Sequence, residues 1–390
     1  MIAPSASTQS RPRRVVLLGA TGSIGRQCCD VIARFPDRFE LVGVAAGSDV
    51  EGLSEVVDRF GVARAVVVAP RPGQALLAGM NAGLEAACEL AAMDSDVVCV
   101  AIPGAAALRP TLAALDAGRT VATATKEVLV MAGELVKSRA AAGGARILPV
   151  DSEHSALWQC LRGERADTVR RLVLTASGGP FRERDPATFP AVTVAEALRH
   201  PTWTMGPKVT IDSATMMNKG LEIIEAHFLF DVAYPDIGVV IHPPSIVHSF
   251  VEFIDGAVIA QLGVPDMRVP IALAIADGER LLGIAAPVQL TGASLDFFEV
   301  DSTRFPAVAL ARAAGEAGGV SAAVLNAANE VAVAAFLDDR VGYDGIVTLV
   351  AETVEAAPAV VAPSLTDILD ADAWARRFAS ERIGGAVSRA

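Results

Sequence analysis

Two carboxylates, Asp151 and Glu153, follow directly after a short apolar segment at residues 147–150, with Ser152 between them. The apolar segment predicts a buried strand, and Pro149 suits the end of a strand better than its middle. Ligands of open α/β sheets bind beyond the carboxyl ends of the strands, so both acids are expected to face a cleft. Two carboxylates one residue apart in extended chain lie on the same side and can share one hard cation. A helix start capped by Asp151 or Ser152 explains the same residues equally well at this point.

A second dense polar motif begins at Asp212 and Ser213, either of which could cap a following helix. Asn218 and Glu222 are four residues apart and therefore share one face of that helix. Glu222 is a candidate third carboxylate for the cation, whereas Asn218 and Lys219 could hold a phosphate. The alternative is a solvated amphipathic helix on which these polar side chains are merely exposed.

Three further features could contribute to the same cleft. Ser177 lies in a Ser-Gly-Gly turn, which could offer its hydroxyl and backbone N–H groups to an anion or be an ordinary turn. Residues around 178–208 are rich in Gly, Pro, Arg and Asp, which predicts a functional loop or lid. Trp203 in this segment could cover a substrate and exclude water, or only anchor the loop. Lys126, just after the predicted strand 120–124, could approach the reacting centre or form a surface salt bridge.

Glycines recur at every third position after the strand-like run 15–18, at Gly19, Gly22 and Gly25, and a helical stretch follows them. Small residues at such a turn let the backbone approach a pyrophosphate, which the N–H groups at the helix start can bind. The spacing differs from the commonest dinucleotide motif, so a purely structural glycine turn is the alternative. The strand–turn–helix context favours cofactor binding.

The end of the next predicted strand should contact the adenosine ribose of such a cofactor. A basic residue there favours a 2′-phosphate, whereas an acid favours a free 2′-hydroxyl. Ser48 and Asp49 offer no positive charge, although Arg71 or Arg26 could supply one. This part of the chain therefore leaves NADPH and NADH as alternatives.

The composition is that of a large globular protein of 390 residues, 52% hydrophobic, with a formal net charge of −12. The negative charge argues against general nucleic-acid binding. No apolar run reaches the roughly 18 residues that predict a membrane span. Five cysteines without a Cys-x-x-Cys pair are typical of a protein in a reducing cytoplasm. Residues 1–13 are expected to form a disordered tail.

The elements that must position these side chains fall into three regions. Strand-like runs alternate with alanine-rich helical segments over residues 14–150, which predicts a parallel, doubly wound sheet of α/β type that binds a dinucleotide. Residues 151–290 combine strands with helices, including one helix over 214–230, and predict an α+β region that holds the substrate and the metal. Residues 305–390 are helical throughout and predict a small C-terminal bundle.

Together these motifs resemble those of the 1-deoxy-D-xylulose 5-phosphate reductoisomerase family. The Asp-Ser-Glu-His motif at 151–154 and the Ser-Ala-Thr-Met-Met-Asn-Lys-Gly-Leu-Glu motif at 213–222 are highly specific in combination. The resemblance extends from about Arg14 to the last predicted helix. The other matching segments are 21–25, 126–127, 149–150, 177–182, 200–206 and 326–330.

The resemblance implies a homodimer whose chains each contain a Rossmann-like NADPH domain, a catalytic domain with a lid and a helical C-terminal bundle. It implies a metal-dependent rearrangement and reduction of 1-deoxy-D-xylulose 5-phosphate to 2-C-methyl-D-erythritol 4-phosphate, a step of non-mevalonate isoprenoid synthesis. The metal would be Mg²⁺ or Mn²⁺. The expected partner is a small sugar phosphate, with no nucleic acid or membrane, and the expected location is the cytoplasm.

The same resemblance assigns roles to individual residues. Asp151, Glu153 and Glu222 match the metal ligands, and with Lys126 they are the expected catalytic residues. The expected substrate contacts are Lys126, Ser152, Glu153, Ser177, His200, Trp203, Ser213, Asn218, Lys219 and Glu222. The expected cofactor contacts are Thr21, Gly22, Ser23, Ile24, Gly47, Ser48, Asp49, Thr125, Glu127 and Gly206.

The chain departs from the family pattern mainly on the cofactor side. Thr125 stands where the family usually has an asparagine, and Gly47-Ser48-Asp49 stands in place of a Gly-Lys-Asn motif. The metal and phosphate residues are intact. This combination suits a divergent orthologue, or a paralogue that acts on another sugar phosphate or a phosphonate with NADPH or NADH. A non-catalytic nucleotide-binding module is the third alternative.

Overall fold

The structure, a computed structural model, describes residues 11–387. Residues 1–10 of the predicted tail lie outside the described residues. The remaining part of that prediction needs correction, because the first strand already begins at Arg13 and Arg11 forms an ion pair with Asp96 at 2.6 Å.

The N-terminal region contains a seven-stranded sheet in which every neighbouring pair of strands is parallel. This confirms the predicted doubly wound α/β architecture. The strands are β1 (Arg13–Leu18), β2 (Phe39–Ala46), β3 (Ala65–Val67), β4 (Met80–Ala82), β5 (Val97–Val100), β6 (Thr120–Thr123) and β7 (Ile147–Pro149), in the spatial order β4-β3-β2-β1-β5-β6-β7. The helices that connect them are α1 (Ser23–Arg34), α2 (Val50–Phe60), α3 (Leu84–Ala92), α4 (Leu108–Asp116) and α5 (Glu127–Gly143).

The central strand β1 shows why the strands of this sheet are continuous apolar runs in the sequence. Val15 and Leu17 face one hydrophobic cluster and Val16 and Leu18 face another, and all four side chains are fully buried. A strand covered by helices on both faces has no solvent side, so its sequence does not alternate between apolar and polar residues. The short edge strand β4 was not predicted.

The order of the strands reverses between β1 and β5, which is where such sheets bind their ligands. Gly19 follows β1 with a φ of +96°, and a Cβ atom there would lie 2.4 Å from the carbonyl oxygen of Ala101. A Cβ on Gly25 would lie 2.1 Å from the carbonyl oxygen of Gly19. Two of the three glycines are therefore required by the close approach of backbone to backbone in this turn.

The second region has a four-stranded sheet of mixed direction, which confirms the predicted α+β arrangement. Only its β8–β9 pair is parallel. The strands are β8 (Val169–Ala176), β9 (Ile237–Ile241), β10 (Val247–Phe253) and β11 (Val258–Leu262), in the order β11-β10-β8-β9. The helices are α6 (Ser152–Cys160), α7 (Val194–Ala197), α8 (Pro207–Thr215), α9 (Met217–Phe230) and α10 (Arg268–Ile275).

The predicted helix over 214–230 is wrong in its first part, because two helices meet there. Met216, with a φ of +62°, lies between α8 and α9. Asp212 and Ser213 therefore lie inside α8 and cap nothing, contrary to the expectation from sequence. A left-handed methionine is unfavourable locally, and its buried side chain shows that tertiary packing holds it in place.

The C-terminal region is helical, as predicted, and α12 (Ser321–Leu337) is its central element. Tyr343 Oη donates a 2.6 Å hydrogen bond to the carbonyl oxygen of Ala214, and Asn329 Nδ2 donates one of 2.7 Å to Asp212 Oδ1. These buried contacts join the C-terminal helices to α8. The helices are α11 (Pro306–Ala317), α12 (Ser321–Leu337), α13 (Tyr343–Glu355) and α14 (Leu365–Val387).

Close helix packing accounts for Gly220 inside α9. A Cβ atom at this position would lie 2.5 Å from the Cβ of Ala311 on α11. The glycine thus lets α9, which carries the second polar motif, lie directly against the C-terminal helices. Within residues 11–387, no helix is both long and apolar enough to cross a membrane.

Candidate active site

One cleft of about 990 Å³ lies between the parallel sheet and the second region. It is lined by every expected metal and substrate residue and by five of the expected cofactor residues. The expected residues that it brings together are Ser23, Ile24, Thr125, Lys126, Glu127, Asp151, Ser152, Glu153, Ser177, His200, Trp203, Gly206, Ser213, Asn218, Lys219 and Glu222. Those that do not line it are Thr21, Gly22, Gly47, Ser48 and Asp49.

The three expected metal ligands converge in this cleft. Carboxylate oxygens of Asp151, Glu153 and Glu222 all lie within 4.8 Å of one another. The local geometry differs from the extended chain that the sequence suggested, because β7 ends at Pro149 and α6 begins at Ser152. Asp151 occupies the N-cap position, but its side chain makes no capping hydrogen bond. The segment is therefore a helix start whose acidic side chains are directed into the cleft.

Two lysines lie among these carboxylates. Lys126 Nζ is 2.5 Å from Asp151 Oδ2 and 2.9 Å from Glu222 Oε1. Lys219 Nζ is 2.9 Å from Glu153 Oε1 and also pairs with Glu222. Lys126 is buried, so the alternative of a surface salt bridge is wrong. The alternative of an exposed amphipathic helix is also wrong, because Lys219 and Glu222 are buried.

Burial and the neighbouring charges shift the pKa values of Lys126 and Glu222. Burial by itself would lower the pKa of Lys126, but the negative charges of Asp151 and Glu222 outweigh it and raise the pKa well above its ordinary value. Burial raises the pKa of Glu222, and the neighbouring charge of Glu153 adds to this effect. When all five groups are ionised, three carboxylates face two ammonium groups and the cluster carries one uncompensated negative charge. Hard oxygen donors with a deficit of positive charge fit Mg²⁺ or Mn²⁺.

His154 and Glu225 are buried next to this cluster. His154 Nε2 is 2.9 Å from the carbonyl oxygen of Glu222, and since a carbonyl only accepts, the ring donates its Nε2–H. Glu225 Oε2 lies 3.3 Å from the other ring nitrogen, Nδ1. Burial, together with the charge of Asp151, raises the pKa of Glu225 well above its ordinary value. Sequence reasoning missed Glu225; its position one helical turn after Glu222 was the available signal.

Ser177, His200 and Ser213 form a polar pocket beside the carboxylates. His200 Nε2 lies 3.0 Å from Ser177 Oγ and 3.1 Å from Ser213 Oγ. The other nitrogen of the ring, Nδ1, accepts hydrogen bonds from the backbone N–H groups of Thr202 and Trp203, at 3.2 and 2.9 Å. His200 therefore carries its proton on Nε2 and fixes the start of the segment that bears Trp203.

The pH dependence of stability should report this histidine. Burial lowers the pKa of His200 to about 4, against about 6.5 in an unfolded chain. Between these values the unfolded chain binds more protons, so the free energy of unfolding should fall as the pH drops from about 6.5 to 4. One histidine contributes a slope of at most about 1.4 kcal/mol per pH unit. Urea denaturation at several pH values should show that the free energy of unfolding of His200→Gln depends less steeply on pH, by up to that slope.

His248 provides a second test of the same effect, because burial lowers its pKa to about 4 as well. In the double variant with His248→Gln, the free energy of unfolding should depend still less on pH. A pH profile of His200→Gln that matches the unsubstituted protein would show that this ring is protonated equally in both states. His248 lies near the start of β10, and its buried side chain also lines the cleft, with its ring centroid 6.2 Å from that of Trp203.

Part of the predicted lid at 178–208 packs against the C-terminal helices. Phe181 and Phe189 are buried, and each contacts the ring of Tyr343 edge-on, with centroids 5.0 and 5.2 Å apart. Thr193 and Glu196 form a capping box at α7. From His200 onward the segment lines the cleft continuously except at residue 201.

The cofactor side of the cleft begins at the glycine turn. Gly22 is the N-cap of α1 and provides no capping side chain, so the N–H groups of the first helical turn are open to a phosphate. Ser23 and Ile24 line the cleft from this helix start. Thr125, the departure from the family pattern, also lines it, but its hydroxyl donates a 2.7 Å hydrogen bond to the carbonyl oxygen of Ile102.

Glu127 belongs to a chain of ion pairs that the sequence did not indicate. Lys208, which also lines the cleft, lies 2.9 Å from Glu127 Oε1 and 2.8 Å from Asp212 Oδ2. Asp212 in turn accepts the hydrogen bond from Asn329 of α12. Burial opposes ionisation of Glu127, but the charge of Lys208 outweighs it and lowers the pKa of that carboxyl. The start of α5 is thus connected to α8 and to the C-terminal helices.

A parallel sheet with a glycine turn at its switch point, beside a carboxylate cluster and a hydroxyl–imidazole pocket, defines a dinucleotide-binding α/β enzyme with a divalent-metal site. Sequence profiles of 1-deoxy-D-xylulose 5-phosphate reductoisomerase match residues 15–133, and profiles of its C-terminal domain match 147–230 and 262–378. The chain belongs to the 1-deoxy-D-xylulose 5-phosphate reductoisomerase family.

Curated relatives with that name share about half of their residues with this chain. The enzyme of Chlorobaculum tepidum is 50% identical over 378 residues, which covers 94% of this chain and 99% of the relative. That of Rhodococcus jostii is 50% identical over 381 residues, covering 96% and 95%. The departures at the cofactor side therefore occur in a chain that otherwise follows the family throughout its length.

Solved structures of the family have the same fold. The reductoisomerase from Zymomonas mobilis in complex with NADPH is 41% identical, with a TM-score of 0.88 over 96% of this chain and 99% of that one. A reductoisomerase in complex with NADPH, fosmidomycin and magnesium is 38% identical, with a TM-score of 0.87 over 95% and 98%.

Proposed function

We propose that this chain converts 1-deoxy-D-xylulose 5-phosphate to 2-C-methyl-D-erythritol 4-phosphate with NADPH and Mg²⁺, or Mn²⁺ in its place. The observation that carries the proposal is the convergence of the three carboxylates with the Ser177–His200–Ser213 pocket in one cleft at the switch point of the sheet. Full-length similarity to reductoisomerases solved with NADPH and magnesium supports both cofactors. The relatives do not favour a paralogue with another substrate.

Asp151, Glu153 and Glu222 would hold the metal. When bound, the cation polarises a carbonyl oxygen as a Lewis acid and stabilises the negative charge that develops as a carbon–carbon bond migrates. Lys126 stays protonated, because the carboxylates raise its pKa, and its ammonium group can donate a hydrogen bond to a substrate oxygen at the same place.

The phosphate of the substrate would lie against Ser177 and Ser213. Their hydroxyls flank the Nε2–H of His200, and Asn218 and Lys219 line the adjoining wall of the cleft. Holding the phosphate away from the reacting carbons fixes the substrate in one orientation and lowers the entropic cost of reaction.

Trp203 and Gly206 lie in the segment that would close over the substrate. Both line the cleft, and Trp203 is tied to His200 through its backbone N–H. A hydroxyl–imidazole pocket filled by phosphate would therefore be coupled directly to the position of the indole. Exclusion of water by this side chain would favour hydride transfer from the nicotinamide to the rearranged aldehyde.

The proposal is tested by a coupled measurement of cofactor and product. With 1-deoxy-D-xylulose 5-phosphate and Mg²⁺, the purified protein should oxidise NADPH, and mass spectrometry should detect methylerythritol phosphate in equal amount. Addition of EDTA should stop the reaction, and Mg²⁺ or Mn²⁺ should restore it. Absence of oxidation with both NADPH and NADH would refute the proposal.

We also propose that the chain forms a homodimer in the cytoplasm. The edge strand β11 exposes Val258 and Ile259, and Phe297 and Phe298 are exposed elsewhere in the same region. Such apolar exposure on an unpaired strand edge favours pairing with a second copy. The five cysteines are free, which suits a reducing compartment. A solution mass of one 40.3 kDa chain would contradict the dimer.

A further inference from the structure

The carboxyl end of β2 is the place where a doubly wound sheet meets the adenosine ribose of a dinucleotide. Asp49 stands there, but its carboxylate is engaged by its own helix: Oδ1 accepts a 3.0 Å hydrogen bond from the N–H of Gly52 as the N-cap of α2. Both carboxylate oxygens lie over Gly52, because a Cβ there would meet them at 2.4 and 3.1 Å. Asp49 is therefore turned towards its helix instead of a ribose hydroxyl.

The loop after β3 forms a tight turn from Arg71 to Gln74. The N–H of Gln74 donates a 2.9 Å hydrogen bond to the carbonyl oxygen of Arg71, and the N–H of Arg71 donates one of 2.9 Å back to Gln74 Oε1. Pro72 and Gly73 occupy the two central positions, and Gly73 has a φ of +76°. Proline followed by a glycine with positive φ is typical of a type II turn, which fixes the backbone of Arg71.

Hydrogen bonds join this turn to the residues just after the carboxyl end of β2. Gln74 Nε2 donates a 3.0 Å hydrogen bond to the carbonyl oxygen of Ser48, and the N–H of Ala69 donates one of 2.9 Å to that of Gly47. A Cβ atom on Gly47 would meet no other atom within 4 Å, so the space above this residue is open. Arg71 is thereby held next to an open position at the end of β2.

The guanidinium of Arg71 is available for a ligand. Its side chain is exposed, and among residues 11–387 it forms neither an ion pair nor a side-chain hydrogen bond. Arg26, the other basic candidate, is differently placed, because its Nε donates a 2.9 Å hydrogen bond to the carbonyl oxygen of Thr21 in the glycine turn. Arg26 therefore belongs to the pyrophosphate side of the site and Arg71 to the ribose side.

We propose that Arg71 binds the 2′-phosphate of NADPH and is the residue that sets the preference for NADPH over NADH. A guanidinium can donate two parallel hydrogen bonds to a phosphate, which a neutral 2′-hydroxyl cannot match. The inference rests on the proposed function for its use of NADPH, and it adds the residue that recognises the cofactor. Gln74 is a positioning residue, because it acts only through the turn.

Calorimetric titration with two cofactor fragments tests the proposal without catalysis. The unsubstituted protein should bind adenosine 2′,5′-bisphosphate more tightly than 5′-AMP. Arg71→Gln should weaken the bisphosphate by about 10- to 100-fold, the usual value of a charged hydrogen bond, and leave 5′-AMP unchanged. Gln74→Ala should produce a smaller loss of the same kind, and Arg71→Lys should restore part of the affinity.

Arg26→Gln is the matched control, and it should weaken both fragments by the same factor or neither. In steady-state assays Arg71→Gln should raise the KM for NADPH by a similar factor, with kcat and the KM for NADH unchanged. Unchanged affinity of Arg71→Gln for the bisphosphate would overturn the assignment. Failure of the proposed function would give a different result: the unsubstituted protein would bind the fragments but would oxidise no cofactor with the substrate.

Discussion

Replacement of Glu222 by glutamine is expected to lower kcat/KM by at least about 1,000-fold and to leave the protein folded. Glutamine has the same shape, so the buried position on α9 stays filled and Lys126 retains an oxygen acceptor 2.9 Å away. The metal, however, would lose one of three negatively charged ligands. Lewis-acid stabilisation is worth several kcal/mol, and a loss of about 4 kcal/mol corresponds to this factor.

The metal itself provides a measurement that does not depend on turnover. Calorimetric titration with Mn²⁺ should show strong binding to the unsubstituted protein and at least about tenfold weaker binding to Glu222→Gln. Glu279→Gln is the control for charge alone, because Glu279 forms an ion pair with Arg38 and does not line the cleft. Equal Mn²⁺ affinity in Glu222→Gln and Glu279→Gln would remove Glu222 from the metal site.

Replacement of Lys126 by methionine should destabilise the metal-free protein by about 3–5 kcal/mol. Methionine keeps most of the length of the buried side chain but leaves Asp151 and Glu222 without their shared cation. Removing one partner of a buried ion pair has a cost of this order. Mg²⁺ binds to the same carboxylates in the proposed site. Saturating Mg²⁺ should therefore recover part of the lost stability.

Urea denaturation in EDTA and in Mg²⁺ measures both effects. Lys137→Met is the matched control, since Lys137 pairs with the exposed carboxylate of Asp231 at the surface and its loss should cost at most about 1 kcal/mol in either condition. If Lys126→Met and Lys137→Met were equally stable, the buried charges would not depend on Lys126. If Mg²⁺ left the difference between them unchanged, the ammonium group and the metal would not neutralise the same carboxylates.

The parallel sheet and its glycine turn were predictable because their signals are local. Strands that are buried on both faces must be apolar throughout, as Val15–Leu18 of β1 are. Gly19 is required because a Cβ atom there would lie 2.4 Å from the carbonyl oxygen of Ala101. The convergence of the three carboxylates was also predicted, whereas the local geometry of Asp151 and Glu153 was left open. A sequence of Asp-Ser-Glu is compatible with both a strand end and a helix start, and only the position of β7 decides between them.

The other errors arose where distant residues determine local structure. Nothing around Met216 favours a left-handed residue, and the break between α8 and α9 is imposed by burial of its side chain. The segment after Gly178 reads as a loop by composition, yet Phe181 and Phe189 are held by Tyr343, more than a hundred residues later. Burial of the Lys126 ion pairs depends in the same way on α9, which no local pattern around Lys126 reveals.

The hydrogen bond from Asn329 to Asp212 has a consequence for how such a chain can be altered. Both residues are buried, and Asp212 also holds Lys208, which holds Glu127 at the start of α5. The C-terminal helices are therefore not an interchangeable module: a chimaera carrying the helices of a distant relative would have to preserve Asn329 to hold the start of α5 in place. Neutral drift in the last third of the sequence is constrained by residues near its middle.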